Sequence, residues 1–388
     1  MLRPARATNC VLDRTAPGAS EAGPAMSLTT IAQVQEAVRA AQRVVVRGAG
    51  TKPALHPPAE GATLIDVSGL SGLLEYEPAE FTFTALAGTA LTTVQAALAE
   101  HGQYLPFDPL LAERGATLGG TLSSGLSGPG RYRFGGLRDF ILGVRYVDGA
   151  GELVRGGGKV VKNAAGFDLP KLMVGSLGQF GVLVELTFKV FPRPRSYLTL
   201  RADFPTLAEA LAALRRLYNA PLDVDALDLW PQPGGSASVL ARLGGTDSAL
   251  PKRAERVQAV LQAGETVADE AELWHVMREL TWVPDGYGLV KVPLPPGRIA
   301  DLHLALPPDT LARYSAGGNV AWLALPDPAR FAPSLTSLDL AGLIVLGDPG
   351  PTPRLGAHPG APFEQRLKTA LDPLGKFPTL PVLAAQPA

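Results

Sequence analysis

Three glycine-rich segments contain the residue types and spacings best suited to chemistry in this sequence. They are RGAGTK at 47–52, GATLGGTLSSGLSGPG at 115–130 and GSLGQFG at 175–181. Glycines leave backbone N–H groups accessible, and a concave run of such groups binds phosphate oxygens. The hydroxyls of the second segment add donors for the polar rim of a flat ligand. The first segment is thus a candidate phosphate site, and the second is a candidate surface for a flat aromatic ligand.

The first segment does not predict an ordinary dinucleotide-binding helix. Such a fingerprint needs a third glycine that opens a helix. Here Pro53 follows the loop directly, with Pro57 and Pro58 close behind. For this segment alone, a tight loop without a ligand remains the alternative.

The elements that must position these segments follow from the apolar pattern. Residues 29–43 have helical spacing, and 44–46 form a short β-branched run that leads into the first loop. A second helix is predicted over 91–102. The run at 140–158 predicts a hairpin with Asp148 and Gly149 at the start of its turn. We expect a short helix over 168–174, ended by Gly175, before a strand that stops near Pro192.

The pattern of predicted strands and helices changes near Arg195. From there strands and amphipathic helices alternate twice, which predicts a mostly antiparallel sheet with helices on one face. The predicted domains are a tail at 1–25, a glycine-rich domain at 26–194, an α+β cap domain at 195–358 and a returning segment at 359–388. Met26 precedes the first ordered pattern, so we expect it to be the true start, or the tail to be disordered.

Composition narrows the classes of protein. The chain has 388 residues, of which 46% are hydrophobic and 18% charged, and a net charge of −1. This favours a globular core and gives no polycationic signature for nucleic acid. The single cysteine, Cys10, can form neither an internal disulfide nor an iron–sulfur cluster. No metal site is expected, and no apolar run reaches the roughly 20 residues of a membrane span.

Taken in order, the segments resemble the vanillyl-alcohol oxidase type of flavoprotein, whose FAD-binding domain is also named after para-cresol methylhydroxylase. The matched stretches, such as VVVRGAGTK and KNAAGFDLPKLMVGSLGQFGVLVELTFKVFPRP, run from about Val44 to Pro194. The segment KNAAGFDLPKLMVGSLG is most similar to the family of FAD-binding E subunits of bacterial glycolate oxidase. The resemblance implies an α+β fold: a two-part FAD-binding domain and a cap domain built as a ferredoxin-like repeat.

The resemblance also implies the cofactor, FAD, and its contacts. Thr51 stands where some relatives attach flavin through a histidine, so non-covalent FAD is expected. The expected contacts are Gly48, Ala49, Gly50, Thr51, Asp108, Pro109, Ala116, Thr117, Gly119, Gly120, Ser123, Ser124, Gly125, Gly178, Gly181 and Val182.

Catalytic residues are not identified by the sequence. None of the five histidines, His56, His101, His275, His303 and His358, is paired with an arginine in a motif. YSAGGNVAWL at 314–323 resembles an eroded copy of a cap motif, H-x-G-D-G-N-x-H, with Tyr314 and Ala321 at the histidine positions. Lys162 is a candidate for stabilising reduced flavin; a solvated lysine beside a turn at Asn163 is the alternative.

Three functions remain open at this stage. The first is an FAD-binding subunit that oxidises glycolate, a small 2-hydroxy acid, to glyoxylate, or relays its electrons, with a second FAD-containing subunit and an iron–sulfur subunit as partners. The second is a self-sufficient oxidase of another alcohol or hydroxy acid. The third is a structural subunit that keeps the FAD fold without flavin chemistry. The first implies a cytoplasmic location, with attachment to the inner membrane through partners left open.

Overall fold

The computed structural model describes residues 26–55, 61–158 and 168–380. The predicted tail at 1–25 therefore lies outside the described residues, as do His56, Lys162, Asn163 and residues 381–388. Within the described ranges the longest helices have 12 residues, too few to traverse a bilayer.

The first part of the chain, residues 26–192, is called the N-terminal unit here. Its strands are β1 Met26–Ser27, β2 Val44–Arg47, β3 Thr63–Asp66, β4 Leu73–Glu77, β5 Thr82–Leu86, β6 Gln103–Tyr104, β7 Ile141–Val147, β8 Leu153–Gly157, β9 Val182–Lys189 and β10 Phe191–Pro192. Its helices are α1 Ile31–Ala40, α2 Leu91–Ala99, α3 Leu118–Ser124, α4 Arg131–Phe134, α5 Leu137–Phe140 and α6 Leu169–Met173.

Within its described residues this unit has three sheets, the smallest of which is the antiparallel pair β6 and β10. A small parallel sheet has the order β1-β3-β2, and an antiparallel sheet has the order β4-β5-β9-β7-β8. The predicted first helix is confirmed as α1, where Thr30 and Gln33 form a capping box and Val34 and Val38 are buried. The predicted hairpin is confirmed as β7 and β8. Between α2 and β9, the glycine-rich second segment forms a helix, α3, whose small residues allow close packing.

The second part, residues 196–356, is called the sheet unit. Its strands are β11 Ser196–Phe204, β12 Ala226–Pro231, β13 Ala237–Gly245, β14 Glu265–Thr266, β15 Gly288–Pro293, β16 Leu311–Ser315, β17 Val320–Leu325, β18 Ala341–Leu346 and β19 Arg354–Gly356. Its helices are α7 Leu207–Tyr218, α8 Leu250–Leu261, α9 Glu270–Glu279, α10 Ile299–Leu304 and α11 Ala332–Ser337. The strands form one antiparallel sheet in the order β14-β11-β13-β12-β16-β17-β15-β18-β19.

Strand–helix–strand–strand–helix occurs twice in this unit, as the sequence rhythm predicts. Side chains alternate between the two faces of the sheet. Val290 and Leu323 pack in the core under α7, α8, α10 and α11. Leu289, Val320 and Trp322 pack instead against the N-terminal unit, in the core that contains α3. The two units therefore share a buried interface along one face of the sheet.

The chain returns to the N-terminal unit through helix α12, Ala361–Leu371. The backbone N–H of Val44, at the start of β2, donates to the carbonyl oxygen of Lys376 at 2.8 Å. The buried Lys368 ammonium donates to the carbonyl oxygens of Gln179 and Phe377 and to the Asp372 carboxylate. This segment therefore supports both the strand that leads into the first glycine loop and the loop before β9.

Candidate cofactor-binding site

The first wall of the candidate site is the loop after β2. Strand β2 pairs with β3 in parallel, and Arg47 ends it in an ion pair with Asp66 at 2.8 Å. Gly50 follows with φ of 70°, a conformation that only glycine adopts without strain. A short 3-10 turn, Pro53–Leu55, then replaces the helix of a dinucleotide fold.

The second wall is α3. Thr117 caps the helix by accepting from the N–H of Gly120 at 3.2 Å. A Cβ on Gly48 would lie 2.5 Å from the Thr117 hydroxyl, and one on Gly119 would lie 2.8 Å from Ala87. Glycine at both positions thus lets the first loop, α3 and the end of β5 approach one another.

The third wall is the loop before β9. Gly175 and Gly178 have φ of 79° and 74°. Gly175 follows α6 and its C-cap residue Val174, close to the predicted end. A Cβ on Gly178 would meet only Val46 at 4.0 Å, whereas one on Gly181 would lie 2.6 Å from the Tyr146 ring. Gly178 therefore faces open space, while Gly181 is also required for packing against β7.

These walls enclose one cleft with two lobes. About 360 Å³ of empty space lies between the first loop and α3, and about 390 Å³ lies between α3 and the third loop. Gly48, Gly120 and Ser123 line both lobes. Open space before Gly178, together with the backbone N–H groups and hydroxyls that line the cleft, fits a long cofactor that carries a diphosphate.

Most of the predicted contact residues converge on this cleft. Those that line it are Gly48, Ala49, Gly50, Thr51, Thr117, Gly119, Gly120, Ser123, Ser124, Gly178 and Gly181. Five predicted residues do not line either lobe: Asp108, Pro109, Ala116, Gly125 and Val182.

The positions of those five residues have physical reasons. The Asp108 carboxylate accepts from the Gly130 N–H at 2.7 Å and faces a separate polar cavity beside Tyr197 and Arg242. The Ala116 carbonyl accepts from the N–H of Leu91 at the start of α2.

Pro109 is buried, and the Val182 side chain belongs to the core beneath α1. Gly125 ends α3 with φ of 63°.

Several lining residues were not predicted as contacts. Lys52, Leu55 and Leu177 complete the first lobe, and Val46, Val67, Ala87 and Leu183 complete the second. Lys52 was present in the RGAGTK motif, and its cationic side chain beside a phosphate-binding loop was the available signal. The apolar residues carry no signal of their own, because they are indistinguishable from core residues in the sequence.

Two cations lie near α3 where the two units meet: Lys291 on β15 and Arg131 at the start of α4. Lys291, half-buried on β15, lies with its Nζ 3.5 Å from the Gly125 carbonyl oxygen. Burial, together with the nearby Arg131 charge, lowers the pKa of Lys291 to about 8. Burial also lowers the pKa of Arg131. Among the described residues neither cation forms an ion pair with a carboxylate.

Arg313 lies two strands from Lys291, in register with Trp322 between them. Its guanidinium stacks 4.5 Å from the Trp230 ring centroid and 5.4 Å from that of Trp282. The neighbouring Asp228 is fully buried, and burial raises its pKa to about 7.

The eroded cap motif forms the β16–β17 hairpin. Tyr314 points to the helix-covered core, where its hydroxyl lies 3.2 Å from His303 Nδ1. Ala321 faces the same core, away from the cleft. His101 packs edge-on against Tyr76, and His275 Nδ1 lies 3.6 Å from Glu113. In the described ranges no group of His, Cys, Asp and Glu is arranged to hold a metal.

The glycine-walled cleft of the N-terminal unit, with a large antiparallel sheet packed against that unit, defines an FAD-binding oxidoreductase of the para-cresol methylhydroxylase type. A family model described as an FAD binding domain matches residues 25–157. The structure of an alkyldihydroxyacetonephosphate synthase superposes with a TM-score of 0.65 at 16% identity, covering 88% of this chain and 74% of that one. The predicted fold class and the FAD cofactor are thereby confirmed.

Glycolate oxidase subunit GlcE of Escherichia coli strain K12 is 36% identical over 356 residues, which are 90% of this chain and 95% of that protein. This chain belongs to the GlcE family. Glycolate oxidase subunit GlcD of Bacillus subtilis strain 168 is 26% identical over 241 residues, 58% of this chain and 51% of that protein. The predicted family is thus confirmed as well.

Proposed function

We propose that this chain is the FAD-binding E subunit of a complex that oxidises glycolate to glyoxylate. The observation that supports it most is the match to GlcE over 95% of that protein, together with a cleft lined by the expected glycines. Bound FAD supplies a hydride acceptor. The two electrons would leave through a second FAD-containing subunit and an iron–sulfur subunit. The complex would act in the cytoplasm, or at the inner membrane through its partners.

The site residues proposed to contact FAD are those that line the cleft. The N–H groups of Gly48, Ala49, Gly50 and Thr51 would bind the diphosphate, and Thr117, Ser123 and Ser124 supply hydroxyls. No described lining residue is a His, Cys or Tyr, which supports non-covalent binding. Acid precipitation tests this point: flavin should remain in the supernatant, and flavin in the pellet would reject it.

The proposed domains keep the predicted boundaries: FAD-binding at 26–194, cap at 195–358, and a returning segment at 359–388. Strand β10 ends at Pro192, β11 begins at Ser196 and α12 begins at Ala361, which supports these divisions.

A second candidate function is direct oxidation of a 2-hydroxy acid by this chain alone. Lys291 and Arg131 favour it, because two cations without a carboxylate partner suit an anionic substrate. Oxidation also requires a group that accepts the hydroxyl proton. The histidines at 101, 275 and 303 are engaged elsewhere, so the subunit role remains the main proposal.

One experiment separates the two functions. The tagged chain is purified from its native cells with its partners, and also alone. Glycolate should bleach the flavin spectrum of the complex but not that of the isolated chain. Bleaching of the isolated chain would support the stand-alone oxidase, and an unbleached complex would reject glycolate as the substrate.

A further inference from the structure

Lys52 is a buried cation on the wall of the cofactor cleft. Its side chain is 6% exposed, and its Nζ donates to the Thr51 hydroxyl at 3.1 Å. It lines the lobe formed by Gly48, Ala49 and Gly50 on one side and by α3 on the other. A lysine in this position is removed from bulk water while its charged end remains beside the loop that exposes backbone N–H groups.

The charge of Lys52 is poorly compensated by the protein. The carboxylate that acts on it electrostatically is Glu279, at the end of α9. No described carboxylate lies within ion-pair distance of Lys52 Nζ. Glu279 is itself 5% exposed; one of its carboxylate oxygens accepts from the Glu113 N–H at 3.3 Å, and the other is buried without a partner. A buried lysine whose positive charge is so little compensated destabilises the folded state unless a bound ligand supplies negative charge.

The other residues that line this lobe bring no further charge. Helix α3, the loop at 174–181, the turn Pro53–Leu55 and strand β18 contain no ionisable side chains. Arg47, on the strand before the loop, is paired with Asp66. The electrostatics at Lys52 therefore depend on Glu279 and on whatever anion enters the lobe.

We propose that the Lys52 ammonium binds the diphosphate of FAD directly, and that FAD binding takes up a proton at alkaline pH. The inference rests on FAD occupying the cleft in the proposed orientation. The diphosphate is the anionic part of FAD, and the adjacent backbone nest is suited to its oxygens. Lys52 adds a full charge to the partial charges of the N–H groups.

The pH dependence follows from the burial of Lys52. In the empty cleft, burial lowers the pKa of Lys52 to about 8, although Glu279 opposes the shift. A bound diphosphate favours the charged amine and raises the pKa. Below about pH 8 the amine is charged in both states, so affinity is independent of pH. Above it, binding requires proton uptake, and the dissociation constant rises up to about tenfold per pH unit.

The experiment is a titration of the full-length apo chain with FAD between pH 7 and pH 9.5, followed by flavin fluorescence. Lys52→Met should weaken binding about tenfold or more at pH 7 and remove the rise above pH 8. Lys52→Arg should bind with little pH dependence, because arginine stays protonated. Lys252→Met, an exposed lysine on α8, is the matched control and should behave as the wild type.

Calorimetry of the same titration in two buffers of different ionisation enthalpy measures the proton uptake at pH 9. Circular dichroism of each apo variant establishes that it is folded. Equal affinity and equal pH slopes for Lys52→Met and the wild type would overturn the inference while leaving the FAD site intact. A wild-type chain that binds no FAD at any pH would instead reject the cofactor site itself, and this inference with it.

Discussion

The ammonium of Lys368 on α12 donates a hydrogen bond of 2.6 Å to the carbonyl oxygen of Gln179, in the loop between Gly178 and Gly181. The Gln179 amide in turn donates to the Glu364 carboxylate at 2.9 Å, and Glu364 also pairs with Arg354 on β19. The third wall of the FAD cleft is therefore held from behind by α12, which also contacts the edge of the large sheet.

Lys368→Met should destabilise the protein and weaken FAD binding. The substitution leaves the fully buried Asp372 carboxylate without its cation, a change worth about 3 kcal/mol in the free energy of unfolding. Urea unfolding measures this cost, and FAD titration measures the effect on the loop. Arg366→Met on the same helix, where the guanidinium lies over the exposed Phe363 ring, is the control. Equal FAD affinity in the two variants would show that α12 does not position the loop.

Gly178→Ala and Gly175→Ala separate backbone strain from loss of the cofactor. Both residues have a positive φ, so each substitution should lower the free energy of unfolding by about 1 kcal/mol. Only Gly178 lines the cleft, so Gly178→Ala alone should reduce FAD occupancy in the purified protein. Occupancy is measured from the ratio of flavin to protein absorbance. A similar loss of flavin in both variants would mean that loop strain, not a methyl group in the cleft, is responsible.

Lys291→Met should weaken the binding of small carboxylates to the FAD-loaded chain. Oxalate, a carboxylate that cannot donate a hydride, is titrated while the flavin spectrum is followed. The wild type should bind it below about pH 8 and lose affinity above, because the charged form of Lys291 is required. Lys291→Arg should retain binding to higher pH, and the exposed Lys252→Met should match the wild type. If Lys291→Met bound oxalate with the same affinity and pH dependence as the wild type, the sheet face that carries Lys291 would be excluded as the carboxylate site.

Asp228→Asn should change how stability depends on pH. Burial raises the pKa of Asp228 to about 7, so the folded state keeps a proton that the unfolded state releases above about pH 4. The free energy of unfolding of the wild type, measured relative to that of Asp228→Asn, should therefore fall as the pH rises from about 4 to about 7. The fall should reach up to about 1.4 kcal/mol per pH unit. Denaturant unfolding at pH 5, 6 and 7 measures the difference. Asparagine keeps the oxygen that accepts from Ser315, so parallel curves would contradict the assignment.

The walls of the cleft could be predicted from the sequence, because glycines mark positions where the backbone lies close to a ligand or to another segment. Gly48 and Gly178 were identified from local patterns, and their convergence was predicted from the resemblance of the three segments, in order, to a known type of FAD-binding domain. The capping residue Thr30 and the β7–β8 turn were equally local features.

Other features depend on contacts between distant segments. Asp108 stands beside the second glycine-rich segment, yet it faces Tyr197 and Arg242 of the sheet unit instead of the cleft. The functional surroundings of Lys52 depend on Glu279, more than two hundred residues later. Gly181 was predicted to make room for FAD, but the Tyr146 ring also requires a glycine there. Such pairings arise from the tertiary fold and leave no periodic signal.

The hydrogen bond from Val44 to Lys376 has a consequence for biosynthesis. The strand that leads into the first glycine loop is synthesised early, whereas its support at Lys376 emerges 332 residues later. At about 5–20 residues per second, the backbone N–H of Val44 waits on the order of half a minute for the Lys376 carbonyl oxygen to be synthesised. A nascent chain therefore exposes an incomplete cleft on the ribosome, and flavin loading is expected to follow translation of residue 376.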